Sequence, residues 1–276
     1  MKKILLILLV GLTMISYGQK KEKIKGNREV LIKKFLLPDF EALRVGEKFQ
    51  IGLKKSTDTT RVIIETDDNL FDVIHFKVDE GILSFYTTQE IVKKKRLKIT
   101  VYIPDHFHSI ELIEKGKVYN EEDLSLEELS IKAFDRGKSD LILDIKKKLA
   151  INAGNKSHLK MDVTAPVAEI YMDEYAQTDL KASFSQLSLS LNGHSAFNIQ
   201  GKAKDAEIRP NDKAQYKGEN FIIENVSLIT KDKTKTHINA GKKLDLIARG
   251  EADVYIYNEP EINLKAFKDH AVLYKK

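Results

Sequence analysis

From Ser109 onward the chain alternates apolar and polar residues with a period of two, as in Leu187-Ser188-Leu189-Ser190-Leu191 and Leu244-Asp245-Leu246-Ile247-Ala248. This is the pattern of strands with one buried face. Aligned on one apolar position, the stretches give a column of Leu112, Ile131, Ile151, Ile170, Leu189, Ile208, Leu228, Leu246 and Leu264, spaced 18 to 20 residues apart. Two residues later stand Ala133, Ala153, Met172, Leu191, Ala248 and Ala266, which share the anchor's face because strand side chains alternate. Four residues after the anchors come Gly116, Asp135, Asn155, Gly193, Asp212, Asp232 and Gly250, types that accept a left-handed backbone or cap their own turn. A second alternating stretch follows: Leu159, Phe197, Tyr216, Val254 and Val272, then, two residues on in the repeat, Leu141, Met161, Leu180, Ile199, Ile238 and Ile256.

Each repeat therefore reads as strand, tight turn, strand and return. One repeat cannot bury its own apolar face, whereas equivalent strands stacked about 4.8 Å apart share a continuous core and pair their backbones with the coils on either side. The pattern predicts an all-β chain in which residues 106–276 form a parallel β-solenoid, or β-helix, of about nine coils of 18–20 residues. An antiparallel sandwich also spaces its strands closely, but its hairpins need no columns in register.

Residues 28–105 have β character without the period, in Phe40-Glu41-Ala42-Leu43-Arg44-Val45, Arg61-Val62-Ile63-Ile64-Glu65 and Leu97-Lys98-Ile99-Thr100-Val101-Tyr102-Ile103. They are expected to form an N-terminal β cap over the first solenoid edge, because an open edge recruits other chains. Ahead of them, Lys2 and Lys3, the apolar run Ile4 to Val10, and Ser16 and Gly18 before Gln19 read as a secretory signal peptide over residues 1–18. The apolar stretch Ile4 to Tyr17 is fourteen residues, short of the roughly twenty that span a bilayer. Residues 19–27 read as a basic linker. The expected product is exported, to the periplasm, cell surface or medium, with no transmembrane segment after cleavage.

Charge and composition narrow the function. The 46 Lys and Arg against 41 Asp and Glu leave only +5, so net charge gives no reason to expect nucleic-acid binding. With no Cys there is no disulfide, thiolate metal site, Cys nucleophile or lipidated Cys. Gly-x-Ser-x-Gly, Walker and His-Glu-x-x-His motifs are missing. No catalytic residue, cofactor or metal ligand is assigned. His106-Phe107-His108 beside Asp105 would offer two imidazoles on one strand face but no third ligand, and reads as a polar lead-in.

Five residues past the anchors stand Lys117, Arg136, Lys156, Tyr175, His194, Lys213 and Lys233, then Glu251 and Asp269. On a solenoid this column becomes a ladder along one edge. It could hold an extended polyanion, such as acidic polysaccharide or lipopolysaccharide, with Tyr175 as a stacking face. The simpler reading, favoured here, is a solvated edge that blocks stacking, its field partly cancelled by Asp135, Glu174, Asp212 and Asp232. The outward column Asp140, Lys160, Asp179, Asn198, Lys217 and His237 is the place where a polysaccharide lyase or hydrolase of β-helix type would carry acid, base and calcium ligands. Alternating charge there reads more simply as cross-coil pairing.

The cap segments Phe40 to Val45, Glu65-Thr66-Asp67-Asp68-Asn69-Leu70 and Val78-Asp79-Glu80-Gly81-Ile82-Leu83, with Leu97 to Pro104 leading into Ser109-Ile110-Glu111-Leu112, resemble the family "putative auto-transporter adhesin, head GIN domain" over about residues 28–276. Members usually carry a Gly-Ser-Gly-Asp-like turn in each coil. Here Glu114-Lys115-Gly116-Lys117, Asp135-Arg136-Gly137-Lys138, Asn192-Gly193-His194-Ser195 and Arg249-Gly250-Glu251-Ala252 are close, whereas Glu174, Asp212 and Asp232 replace the glycine elsewhere. The resemblance implies a secreted, β-helical, non-catalytic protein and carries over no site residue. The expected function is a non-enzymatic cell-envelope adhesin or binding scaffold presenting its solenoid surface to glycan, lipid headgroup or protein, with acidic polysaccharide, lipopolysaccharide or an envelope protein as partner. The alternative is the glycan-cleaving β-helix enzyme.

Overall fold

A computed structural model describes residues 21–276. The expected signal peptide, residues 1–18, and the first two residues of the linker lie outside the described residues. Nine strands form the N-terminal part: β1 (Lys23–Lys25), β2 (Val30–Leu36), β3 (Ala42–Val45), β4 (Gln50–Lys55), β5 (Arg61–Asp67), β6 (Ile74–Asp79), β7 (Ile82–Thr87), β8 (Glu90–Lys93) and β9 (Leu97–Ile103). The parallel stack follows as β10 (Ser109–Leu112), β11 (Lys117–Tyr119), β12 (Leu124–Ala133), β13 (Lys138–Ala153), β14 (His158–Met172), β15 (Gln177–Leu191), β16 (Ala196–Pro210), β17 (Gln215–Thr230), β18 (Lys235–Ala248), β19 (Asp253–Tyr257), β20 (Glu261–Phe267) and β21 (Val272–Lys275).

The parallel β-solenoid predicted from the repeat is present. Ile131, Ile151, Ile170, Leu189, Ile208, Leu228, Leu246 and Leu264 stand side by side in successive coils. All but Leu264 are buried. The first anchor needs correcting, because Ile131 pairs with Ile110, and Leu112 pairs with Ala133. The first spacing is thus 21 residues, lengthened by the loop around Asn120–Asp123. A two-residue slip leaves the same face inward, so the alternation alone does not reveal it. At the far end a bulge between Leu264 and Ala266 puts Phe267, not Ala266, beside Ala248, and Leu273, not Val272, beside Val254.

Two further layers lie beyond Ile110 and carry no 19-residue period. Leu43 of β3 pairs with Ile110, and Leu83 of β7 pairs with Leu43. Ile51 of β4 likewise joins Val118 to Ile99 of β9. The stack then changes character. β5 runs antiparallel to β9, β2 to β5 and β6 to β7. Behind these strands Phe35, Phe76, Phe85 and Phe49 form a chain of ring contacts with centroids 5.4–5.8 Å apart. Four large rings thereby cover the core columns that the parallel strands would otherwise leave open. The linker segment Lys23–Lys25 is not free. It forms β1, parallel to β8, and the pair makes a separate two-stranded sheet. No helix among the described residues is long and apolar enough to cross a membrane.

Candidate functional site

Every coil makes its tight turn with one residue in the left-handed region. These residues are Glu47, Glu114, Asp135, Asn155, Glu174, Gly193, Asp212, Asp232, Gly250 and Asp269, with φ between 51° and 73°. Glu114 therefore occupies the position expected for Gly116, which lies two residues further on. Gly116 is required for space, since a Cβ there would sit 2.1 Å from the Val45 carbonyl oxygen. Gly116, Gly137, Ser157, Ala176, Ser195, Ala214, Thr234 and Ala252 fill that corner with small side chains.

The abundance of acids at a left-handed position has a local cause. In four of the turns the N–H points along the stack toward the next coil, whose carboxylate reaches back to accept it. Glu114 Oε2 accepts from the Glu47 N–H at 2.5 Å, Asp135 Oδ2 from Glu114 at 3.0 Å, Asp212 Oδ2 from Gly193 at 3.1 Å and Asp269 Oδ2 from Gly250 at 3.0 Å. Hydrogen bonds from main-chain amides to a carboxylate are charge-assisted and hold the acid against the backbone.

In eight coils the residue after the left-handed position donates its N–H to the left-handed residue's carbonyl one coil back, as Arg136 does to Glu114 and Lys156 to Asp135, both at 2.8 Å. The position one residue past each left-handed residue defines the ladder. It runs Lys48, Lys115, Arg136, Lys156, Tyr175, His194, Lys213, Lys233, Glu251 and His270. Six of the seven expected residues, Arg136, Lys156, Tyr175, His194, Lys213 and Lys233, are brought into one column. Lys117 is not: the two-residue slip at the first coil places it in β11 beside Lys138, with Nζ 6.0 Å from the Tyr119 ring centroid. Lys115 holds the ladder position instead. Asp269 is likewise a turn residue, and His270 takes its place. Tyr175 and His194 stack with centroids 5.0 Å apart, and Lys233 pairs with Glu251 at 3.2 Å.

Over the capped end of this ladder hangs a wall that the repeat does not predict, made by β8 and the segment following it. Buried Asp67 fixes it in place by accepting the N–H groups of Arg28 at 2.6 Å, Lys95 at 2.8 Å and Arg96 at 3.1 Å. Burial opposes the charge on Asp67, yet these amide bonds outweigh it and hold the carboxyl below its ordinary pKa. Between wall and ladder lies a groove of about 840 Å³. Its apolar lining comes from Phe49, Ile91 and Leu97, its ladder side from Lys48, Lys115, Arg136, Lys156 and Tyr175, and its far side from Lys21, Glu90 and Lys94.

Charges in the groove fall into two sets. Lys21 pairs with Glu47 at 2.6 Å and Lys48 with Glu90 at 3.6 Å. Burial tends to raise the Glu47 pKa, but bonds from Lys21 and Thr87 prevail and lower it, keeping the carboxylate charged. Among the described residues Lys94, Lys115, Arg136 and Lys156 form no ion pair, while two of the neighbouring acids, Glu114 and Asp135, are engaged by turn amides. The signal for the missed wall was the basic run Lys93-Lys94-Lys95-Arg96, which the periodicity did not connect to the turns.

The outward column forms as expected, with Asp140, Lys160, Asp179, Asn198, Lys217 and His237 in register. Its central acid is tied down. Asp179 accepts from Asn198 at 2.7 Å and His158 at 2.8 Å, bonds that overcome the opposing effect of burial and lower its pKa. His106 lies 3.2 Å from Asp39, outside any strand, and His108 Nδ1 is 3.2 Å from the His106 carbonyl oxygen. Among the described residues no group of three or more His, Asp or Glu could hold a metal ion.

Solved structures with the same fold include a "putative adhesin" from Parabacteroides distasonis ATCC 8503, with TM-score 0.67 and 12% identity over 92% of this chain and 100% of that one. A "putative lipid binding protein" from the same organism gives 0.59 and 15% over 92% and 100%. A "putative adhesin" from Parabacteroides merdae ATCC 43184 gives 0.58 and 16% over 92% and 99%. Identities this low speak for the fold alone. No curated protein matches. The family model does match, twice in tandem, over residues 39–148 and 147–260. Those two stretches take in nearly all of the turn ladder and the wall beside it, and on them this chain belongs to the family "putative auto-transporter adhesin, head GIN domain".

Proposed function

We propose that the chain is an exported, non-enzymatic binding protein of the cell envelope, and that its groove holds an extended anionic ligand of the acidic polysaccharide or lipopolysaccharide type. One observation carries this reading: Lys94, Lys115, Arg136 and Lys156 flank a single groove without ion pairs among the described residues, three of them at successive coil steps. A solvated edge needs its charges facing water and no opposing wall. Here the cations face a wall fixed by Asp67, with Phe49, Ile91 and Leu97 between. Charges and apolar lining together suit a polymer or glycolipid that bears anionic groups at short intervals on a partly apolar body. The description "putative lipid binding protein" given to one structure of the same fold, from Parabacteroides distasonis, accords with that chemistry.

The test is binding of the purified protein to immobilised acidic polysaccharides and to lipopolysaccharide, with released fragments assayed in parallel. Binding should weaken at least about tenfold, or about 1.4 kcal/mol, when Lys115, Arg136 and Lys156 are changed together to Ala. The same change at Lys202, Lys204 and Lys242, outside the groove, should leave it unaltered. Since acids stand among the cations, affinity should fall only gently with salt. Equal loss in both triple variants would overturn the groove assignment, and fragment release abolished by Asp179→Ala would establish the glycan-cleaving enzyme instead.

A further inference from the structure

The two ends of the stack are finished differently. Beyond β7 and β9 the core columns run into antiparallel strands and phenylalanine rings, but among the described residues no coil lies above β20 and β21. Its core-column side chains are open to solvent: Ile262 is 43% exposed, Leu264 51%, Phe267 37% and Leu273 37%. The backbone of β20 is paired on one side only, with β18. An apolar strand edge of this kind is a template for a further strand.

We propose that this end is covered by a second copy of the chain, with β20 lying antiparallel to β20 of that copy about a two-fold axis at Asn263. The sequence of β20 is self-complementary in this register. Ile262 meets the partner's Leu264 on the core side, so the two apolar columns become continuous. On the outer face Glu261 meets the partner's Lys265, the bulged residue whose side chain lies on that face beside Asp245, and by symmetry Lys265 meets the partner's Glu261. Centring the pair on Leu264 instead would set Glu261 against the partner's Phe267 and forfeit both charge pairs. Within its own chain Glu261 has no ion-pair partner among the described residues, whereas Lys265 reaches Asp245 at 2.7 Å on the outer face. The two-fold arrangement is closed at β20: each copy covers the other's open β20 edge, which is then not offered to a third. The groove sits toward the other end of each copy and remains free.

The experiment is sedimentation of the purified protein, with wild type expected as a dimer at about 100 µM, well above a micromolar dissociation constant. Glu261→Lys alone and Lys265→Glu alone should each weaken association at least about tenfold, since like charges then meet across the axis. An equimolar mixture of the two should associate again, because the lysine introduced in one variant then faces the glutamate introduced in the other. Asn263→Cys, in a chain with no other Cys, should cross-link spontaneously into a covalent dimer, whereas Lys202→Cys should not. Circular dichroism and melting establish that each variant is folded. A wild-type monomer at that concentration overturns the proposal. So does a dimer indifferent to both charge changes, or one in which Asn263→Cys fails to cross-link.

Discussion

Leucine stands in the same inward column at both ends of the stack, at Leu83 and at Leu264, yet one is fully buried and the other 51% exposed. Both sit on parallel strands and both pair on one side with a leucine of the neighbouring layer, Leu43 and Leu246. What separates them is the next strand out. Beyond Leu83 the chain reverses direction, and β6 lays Val78 opposite it with Phe76 and Phe85 alongside. Beyond Leu264 no described strand lies against the outer edge of β20. A repeat therefore specifies the interior of a solenoid but not how it stops, and stopping requires a segment that breaks the repeat.

The largest expected effect tests that difference directly. Leu83→Ala deletes buried volume that β6 and the rings cannot readily refill, and should cost about 2–5 kcal/mol. Leu264→Ala should cost less than about 1 kcal/mol in isolated chains, because its side chain loses little contact with protein. Urea unfolding of the two variants at low protein concentration reads the contrast, and equal losses would mean that the last coil is covered within the single chain.

A smaller effect concerns how the capped end holds the groove wall. Asp67→Asn keeps the shape but gives up the charge that draws in the Arg28, Lys95 and Arg96 amides, a loss of about 1–3 kcal/mol. The Lys95 and Arg96 amides should then exchange faster, with the open-end strands β20 and β21 unchanged. The pH dependence has a definite sign. Because the Asp67 pKa is lower in the folded chain than its usual 3.8, its contribution is complete above that value and is lost as pH falls through the folded value. Acid should therefore loosen the wall, and the asparagine variant should lack that step.

The same contrast explains what could be read from the residues. From Ile131 to Ile256 each coil repeats its neighbour, and the expected anchor columns are those observed. The departures fall where a neighbour differs. Leu112 and Lys117 were displaced together, because the loop after Tyr119 lengthens one coil and a two-residue slip preserves the inward face. Ala266 and Val272 were displaced by the single bulge in the last coil. The layers at Leu43 and Leu83 were invisible as layers, since β5 and β6 come between them in the chain while the backbone returns from β9 to β10 past β3. For the candidate site, the ladder was legible because it lies within the repeat. The wall was not, because Asp67 and Lys94 to Arg96 act through contacts across long stretches of sequence.

The smallest expected effect compares turn carboxylates near each end. Glu114 and Asp269 do the same work, each accepting the N–H of the left-handed residue one coil back, Glu47 and Gly250. The receiving turns differ. Glu47 is also held by Lys21 and Thr87, so its turn is fastened to the wall side of the groove. Gly250 lies in the last coil but one, and its φ of 73° needs no help from a side chain. Glu114→Ala should therefore cost about 1 kcal/mol and Asp269→Ala about 0.5 kcal/mol or less, near the lower range for such bonds. Amide exchange at Glu47 and Gly250 gives the two values separately. A larger loss at Asp269 would show that the open end depends on its own turns for order, whereas the capped end relies on the strands and rings that close it.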